Sequence, residues 1–125
     1  MHIHPETSCF IVKKEQILLS ISSLDFSFIV ERNISEIFEL LHQHKMKVNL
    51  IQNSAISFSV CLDDKYQKFD KLIENLKNNF KIDFYKDVSL FTIRHFTKDA
   101  IQQIEKNNKV LLKQLTKETV QIVIQ

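Results

Sequence analysis

Apolar positions repeat along this chain with two periods, two and about 3.6, and the switches between them lay out an order of elements. Ile17 to Ser23 is short, aliphatic and rich in β-branched side chains, which predicts a strand. From Asn33 the period changes: Ile34, Ile37, Phe38 and Leu41 fall at i, i+3, i+4 and i+7, one stripe of a helix reaching about His44. Asn33, with Glu36 three residues on, reads as its capping box. Lys47 to Ile51 then alternates, with Val48 and Leu50 on one face and Lys47 and Asn49 on the other. Ile56, Phe58, Val60 and Leu62 alternate with Ser57, Ser59 and Cys61, so two half-buried strands flank the turn-forming Gln52-Asn53-Ser54. Asp63 and Asp64 open a second helix with the stripe Phe69, Leu72, Ile73, Leu76 and Phe80. It is expected to close at Asn78-Asn79, where asparagine supplies the left-handed conformation glycine usually takes. Lys81 to Tyr85 is a further short strand.

The order β-α-β-β-α-β is that of the split βαβ, or ferredoxin-like, unit: an α+β fold with two helices on one face of an antiparallel sheet. From Val88 the pattern restarts with a strand to Phe96, a short helix from Thr97 to Glu105, and strands Val110–Leu115 and Thr119–Ile124. This second unit lacks one strand and one helix. The spare strand at Cys9 to Lys13 is the segment available to complete its sheet. The expected organisation is therefore an N-terminal segment and strand over 1–14, a first domain over 15–86 and a shortened second domain over 87–125.

Composition narrows the chemistry. The chain has no glycine, which excludes glycine-rich phosphate cradles, dinucleotide fingerprints and nucleophile elbows. A net charge of +2, with Arg32 and Arg94 as the arginines, is too small a footprint for a dedicated nucleic-acid binder. No apolar run approaches the length of a membrane span, and the first residues lack a basic region followed by an apolar one. Cys9 and Cys61 stand in apolar contexts and read as reduced core thiols of a cytoplasmic protein. The abrupt start, with residues 1–6 uninformative, is expected of a piece excised from a longer chain.

Other constellations weigh less. His42 and His44, two apart on a helix, point about 200° from each other and cannot share an ion; with His2 and His4 they read as solvated, and no metal or cofactor is expected. Cys61 with His95 lacks a third, orienting group for nucleophilic catalysis. Lys65, Lys68, Lys71 and Lys77, mixed with Asp70 and Glu74, read as a solvated helix face. In a ferredoxin-like unit the loop Asp25–Arg32 and the segment Lys47–Ser54 are expected to meet where the first helix begins, and its free N–H groups can receive a carboxylate.

Three runs carry a resemblance: Leu18-Leu19-Ser20-Ile21-Ser22-Ser23, Ile34-Ser35-Glu36-Ile37-Phe38-Glu39-Leu40-Leu41, and Val48-Asn49-Leu50-Ile51-Gln52-Asn53-Ser54-Ala55-Ile56-Ser57-Phe58-Ser59-Val60. With Leu90-Phe91-Thr92-Ile93-Arg94-His95 and Thr119-Val120-Gln121-Ile122-Val123-Ile124, the chain resembles the C-terminal regulatory region of aspartate kinases, a tandem pair of ACT domains. The resemblance implies a kinase domain ahead of this region, a parent enzyme that phosphorylates aspartate with ATP, and a fragment without catalysis of its own. It implies a homodimer through ACT domains that binds an amino-acid end product such as threonine or lysine. Carried over by position, the backbone of Glu31, Arg32, Asn33 and Ile34 receives the effector carboxylate. Lys47, Val48, Asn49 and Ser54 hold its amino group and side chain. Neutral Asn49 and Ala55, where lysine-sensing relatives often have acids, lean the expectation to threonine. The other readings are a free-standing ferredoxin-like interaction or RNA-binding module, which calls for aromatic residues interleaved with basic ones on its strands, and a small Cys/His enzyme.

Overall fold

A computed structural model describes residues 9–25 and 27–125, in the order β1 (Cys9–Ser23), α1 (Glu31–Gln43), β2 (Lys47–Asn53), β3 (Ser57–Asp63), α2 (Phe69–Leu76), β4 (Phe80–Arg94), α3 (Lys98–Asn107), β5 (Val110–Leu115) and β6 (Thr119–Ile124). The expectations for His2, His4 and residues 1–6, and for the side chain of Cys9, lie outside what is described. No described helix is long and apolar enough to cross a membrane. The strand order is β2-β3-β1-β4-β6-β5. Two compact units share these strands: one runs from Gln16 to Lys86, the other joins the described residues up to Glu15 to Asp87–Gln125.

The unit Gln16–Lys86 has the β-α-β-β-α-β order read from the sequence, with its strands in the order 2-3-1-4. β3 lies antiparallel between β1 and β2, pairing Ile17 with Leu62 and Ser22 with Ser57 on one side, Lys47 with Asp63 and Asn53 with Phe58 on the other. Ile17, Leu19 and Ile21 of β1 and Phe58, Val60 and Leu62 of β3 face the helices. Onto them pack Ile37 and Leu41 of α1 and Phe69, Leu72, Ile73 and Leu76 of α2. Phe38 meets Phe58 edge to face, with ring centres 5.5 Å apart. Gln16, Leu18, Leu50 and Cys61 are buried too, at positions that alternate with this cluster.

In the second unit β4 pairs with β6 and β6 with β5, all antiparallel, and β1 stands next to β4. The N-terminal strand thus supplies the strand this unit lacked. Ile101 and Ile104 of α3 cover Ile93, Val120, Ile122 and Ile124. Thr97 caps α3, its hydroxyl accepting from the Ala100 N–H at 3.1 Å.

Several local expectations are corrected. The two strands read on each side of Lys14–Gln16 are one strand, β1, and Lys81–Tyr85 and Val88–Phe96 likewise merge into β4. Helix α1 starts at Glu31, so Asn33 is not its N-cap; Val30 holds that place, and the Asn33 Oδ1 accepts from the Val30 N–H at 3.0 Å. Asp64 does cap α2, but from a distance, accepting from the N–H groups of Lys68 at 2.9 Å and Phe69 at 3.1 Å. Among the described residues the left-handed ones are not Asn78 or Asn79 but Glu15, Lys45, Gln67, Asp87 and His95, with φ between 53° and 57°. His44 is not solvated: it is buried, with Nδ1 2.8 Å from the Leu40 carbonyl and Nε2 3.1 Å from the Asn75 amide. The Asn75 amide donates to Nε2, which fixes the ring proton on Nδ1.

Candidate functional site

The connection between β1 and α1 leaves the sheet at Ser23 and is built from local hydrogen bonds. The Asp25 carboxylate accepts from the Ser27 N–H at 3.1 Å, and the Ser23 hydroxyl donates to the Ser27 carbonyl at 2.8 Å. The hydrogen bonds from Ser27 hold the Asp25 carboxyl below the usual carboxylate range. The chain then binds the neighbouring β2–β3 turn through Ile29 N–H to the Ala55 carbonyl at 2.8 Å. That bond brings the start of α1 against the end of β2.

Between them lies an open recess of about 640 Å³ lined by Ile29, Val30, Glu31, Arg32, Ile34 and Asn53. The first N–H groups of a helix have no partner inside it, and valine at the N-cap offers no side-chain acceptor. An anion in the recess would meet the N–H groups of Glu31 to Asn33, the positive end of the helix dipole and the Arg32 guanidinium. Glu31 and Asn53 add a carboxylate and an amide for a cationic or polar group.

The residues read as one site from the sequence are divided by the fold. Glu31, Arg32 and Ile34 line the recess, and Asn33 stands beside it with its Oδ1 taken by Val30. Lys47, Val48 and Asn49 belong to the other end of β2, about 13 to 20 Å from Asn53 at a strand's rise per residue. The reason is directional. β1 and β2 both run antiparallel to β3, so they are parallel to each other, and α1 begins at the carboxyl ends of both. Val48 packs against the helix-side core. Asn49 donates through Nδ2 to the Gln16 Oε1 at 2.6 Å, and the Cys61 thiol lies 3.8 Å from that same oxygen. The Ser54 hydroxyl is 2.8 Å from that of Ser57 and accepts from the Ser57 N–H at 3.2 Å.

Sequence reasoning placed Ile29 and Val30 within the loop Asp25–Arg32 and Asn53 within the segment Lys47–Ser54, but singled out none of the three as a site residue. The parallel direction of β1 and β2 was a signal that could have found Asn53, because it places the end of β2, not its start, beside the helix. A bulge hid the rest. β3 sees Val48 opposite Leu62 but Leu50 opposite Cys61, so Asn49 is the extra residue and the faces of β2 exchange after it. Asn53, opposite helix-facing Phe58, therefore faces α1, where strict alternation from Val48 would have put Gln52.

No family model and no curated protein matches the sequence. Solved structures do. A C-terminal regulatory domain of aspartate kinase from Porphyromonas gingivalis W83 superposes with a TM-score of 0.76 at 13% identity, over 95% of this chain and 86% of that one. Aspartate kinase from Clostridium acetobutylicum gives 0.74 at 17% identity, over 93% of this chain and 30% of that one. Aspartokinase III from Escherichia coli, solved in complex with lysine and aspartate, gives 0.69 at 15% identity, over 91% of this chain and 28% of that one. The chain thus spans less than a third of the complete kinases it resembles. Its two ferredoxin-like units, the second completed by the N-terminal strand, have the fold of the regulatory region of aspartate kinases.

Proposed function

We propose that this chain is an amino-acid-sensing regulatory region of an aspartate kinase, catalytically silent by itself and joined in its parent to a kinase domain. The observation that carries the reading is the recess at the uncapped start of α1, where helix N–H groups, Arg32, Glu31 and the Asn53 amide meet. An α-amino acid fits this set: its carboxylate on the N–H groups and Arg32, its ammonium on Glu31, its side chain toward Asn53. A helix start favours such an anion by about 0.3 to 1 kcal/mol. Of the neutral Asn49 and Ala55 that lean the expectation to threonine, Asn49 binds Gln16 and Ala55 alone does not separate the two, so both amino acids are effector candidates.

β2 stands at one end of the strand order. Twofold antiparallel pairing across the outer edge of an end strand would join two copies into the proposed homodimer. Titration calorimetry with threonine and with lysine tests the reading. Saturable binding of one of them, weakened about tenfold or more in Asn53→Ala, is expected. No binding of either at millimolar concentration overturns the assignment.

A further inference from the structure

Helix α1 ends, as it begins, beside an open hollow, and the one at its end has a different chemistry. The two are about 20 Å apart by the rise of the 13 residues of α1. At the far end lies a cleft of about 580 Å³, lined by His44 at the end of α1, Tyr66 and Gln67 of the connection ahead of α2, and Lys68, Asp70 and Lys71 at the start of α2. All of them belong to the unit Gln16–Lys86. Left-handed residues set the backbone on both sides of it, Lys45 next to His44 at φ 56° and Gln67 at φ 55°. The His44 ring is a fixed wall, because Nδ1 is bound to the Leu40 carbonyl and Nε2 accepts from the Asn75 amide.

Side chains, not the helix start, give this cleft its character, since the Asp64 carboxylate already accepts from the N–H groups of Lys68 and Phe69. Lys68 and Lys71 bring two ammonium groups, and Lys45 a third, with its Nζ 5.4 Å from the centre of the Tyr66 ring. The carboxylate among them, Asp70, has its Oδ1 3.8 Å from the Lys86 Nζ, a cation outside this set. The local balance is therefore positive. Two ammonium groups suit a phosphate monoester, which carries about 1.5 to 2 negative charges at neutral pH. In the midst of this charge the flat Tyr66 ring is 59% exposed. Nucleobases stack on such rings in a sequence-tolerant way. A chain without glycine has no glycine-rich backbone in which to wrap a phosphate, so cationic side chains are its means of holding one. The net charge of +2 is too small for a long nucleic acid, whereas a single nucleotide needs only the local balance. Lys68 and Lys71 read from the sequence as part of a solvated helix face; the fold brings them into one cleft with Tyr66.

We infer that this cleft is a second ligand site and that its ligand is a mononucleotide, with the phosphate on Lys68 and Lys71, the base on Tyr66, and the Gln67 amide and Asp70 carboxylate available to the base edge and the ribose hydroxyls. The inference does not depend on the amino-acid-sensing reading, which concerns the opposite end of α1. The test is titration calorimetry of the whole chain with adenosine monophosphate, with inorganic phosphate and with adenosine, together with amide chemical shifts of the ¹⁵N-labelled protein. Expected is saturable binding of one nucleotide per chain, at least tenfold tighter than phosphate or adenosine, with shifts centred on Tyr66 to Lys71. Tyr66→Ala, and separately the double change Lys68→Gln with Lys71→Gln, are expected to weaken it tenfold or more, while Tyr66→Phe, which keeps the ring, retains it. These positions are on the surface, so thermal midpoints near that of the native chain confirm that the variants fold. A nucleotide bound no more tightly than inorganic phosphate, which is an ion held loosely by surface lysines, overturns the site. So do shifts centred on Arg32 to Ile34, unchanged affinity in Tyr66→Ala, or no binding at millimolar concentration.

Discussion

Lys45 shows what a glycine-free chain does at a helix end. It stands one place past the C-cap of α1 at φ 56°, with its N–H on the His42 carbonyl and the Met46 N–H on that of Leu41, the paired bonds of a Schellman ending. Met46 and Leu41 share the same core cluster, the apolar contact that accompanies such an ending. A side chain in this conformation costs about 1 to 2 kcal/mol. Lys45→Gly relieves that cost but gives up a Lys45 Nζ placed 5.4 Å from the centre of the Tyr66 ring and adds freedom to the unfolded chain. The expected net gain is about 0.5 kcal/mol, read as a higher urea midpoint with unchanged slope. Asn49 makes the opposite case. Asn49→Ala leaves the buried Gln16 amide short of a donor, so a loss of about 1 to 3 kcal/mol is expected, with effector affinity unaltered in calorimetry.

Among the elements, α2 depends most on packing. It has eight residues, below the length at which an isolated helix is stable in water, and four of them, Phe69, Leu72, Ile73 and Leu76, are buried. Phe69 meets Phe84 edge to face with ring centres 5.0 Å apart. Leu72→Ala empties a fully buried position and is expected to cost about 2 to 5 kcal/mol, whereas Lys71→Ala on the exposed side stays within about 0.5 kcal/mol. Paired urea titrations check both. A small effect of Leu72→Ala would mean that α2 is not seated on the sheet as described. The salt bridges near this helix are minor by comparison: Lys86 to Asp70 spans 3.8 Å between exposed side chains.

For the whole molecule, β2 and β5 stand at the two ends of the strand order, and an end strand is where a partner can add. Ile51 on β2, Leu24 and Phe28 on the connection to α1, and Ile56 in the β2–β3 turn are exposed large apolar residues. They belong to the unit that carries the recess, and a twofold interface along β2 would shield side chains of this kind. Light scattering is expected to give a mass near twice 14.8 kDa at tens of micromolar, and a monomer would overturn the homodimer. With aspartate and ATP the chain is expected to release no ADP above a protein-free control, since it has no glycine from which to form a phosphate cradle.

Periodicity alone determined the element types and their order, because the alternation of Phe58, Val60 and Leu62 and the stripe Phe69, Leu72, Ile73 and Leu76 are local consequences of burying one face. The bounds of β5 and β6 were legible to the residue, since both are short and flanked by polar turns. The start of α1 was not: Asn33 has the chemistry of a cap, but it serves Val30 from inside the helix, a choice made by how the chain leaves Ser23 and binds Ala55. Nor could sequence reveal that β1 and β4 each continue as one strand through a left-handed residue, Glu15 or Asp87, because only pairing on a sheet rewards that conformation. The recess was half legible. Glu31, Arg32 and Ile34 follow from where a helix begins, but Asn53 depends on strand direction and on the bulge at Asn49. Both are properties of the ladder with β3, in which a one-residue slip exchanges every side chain between faces, and no stretch of β2 taken alone records which slip the sheet adopts.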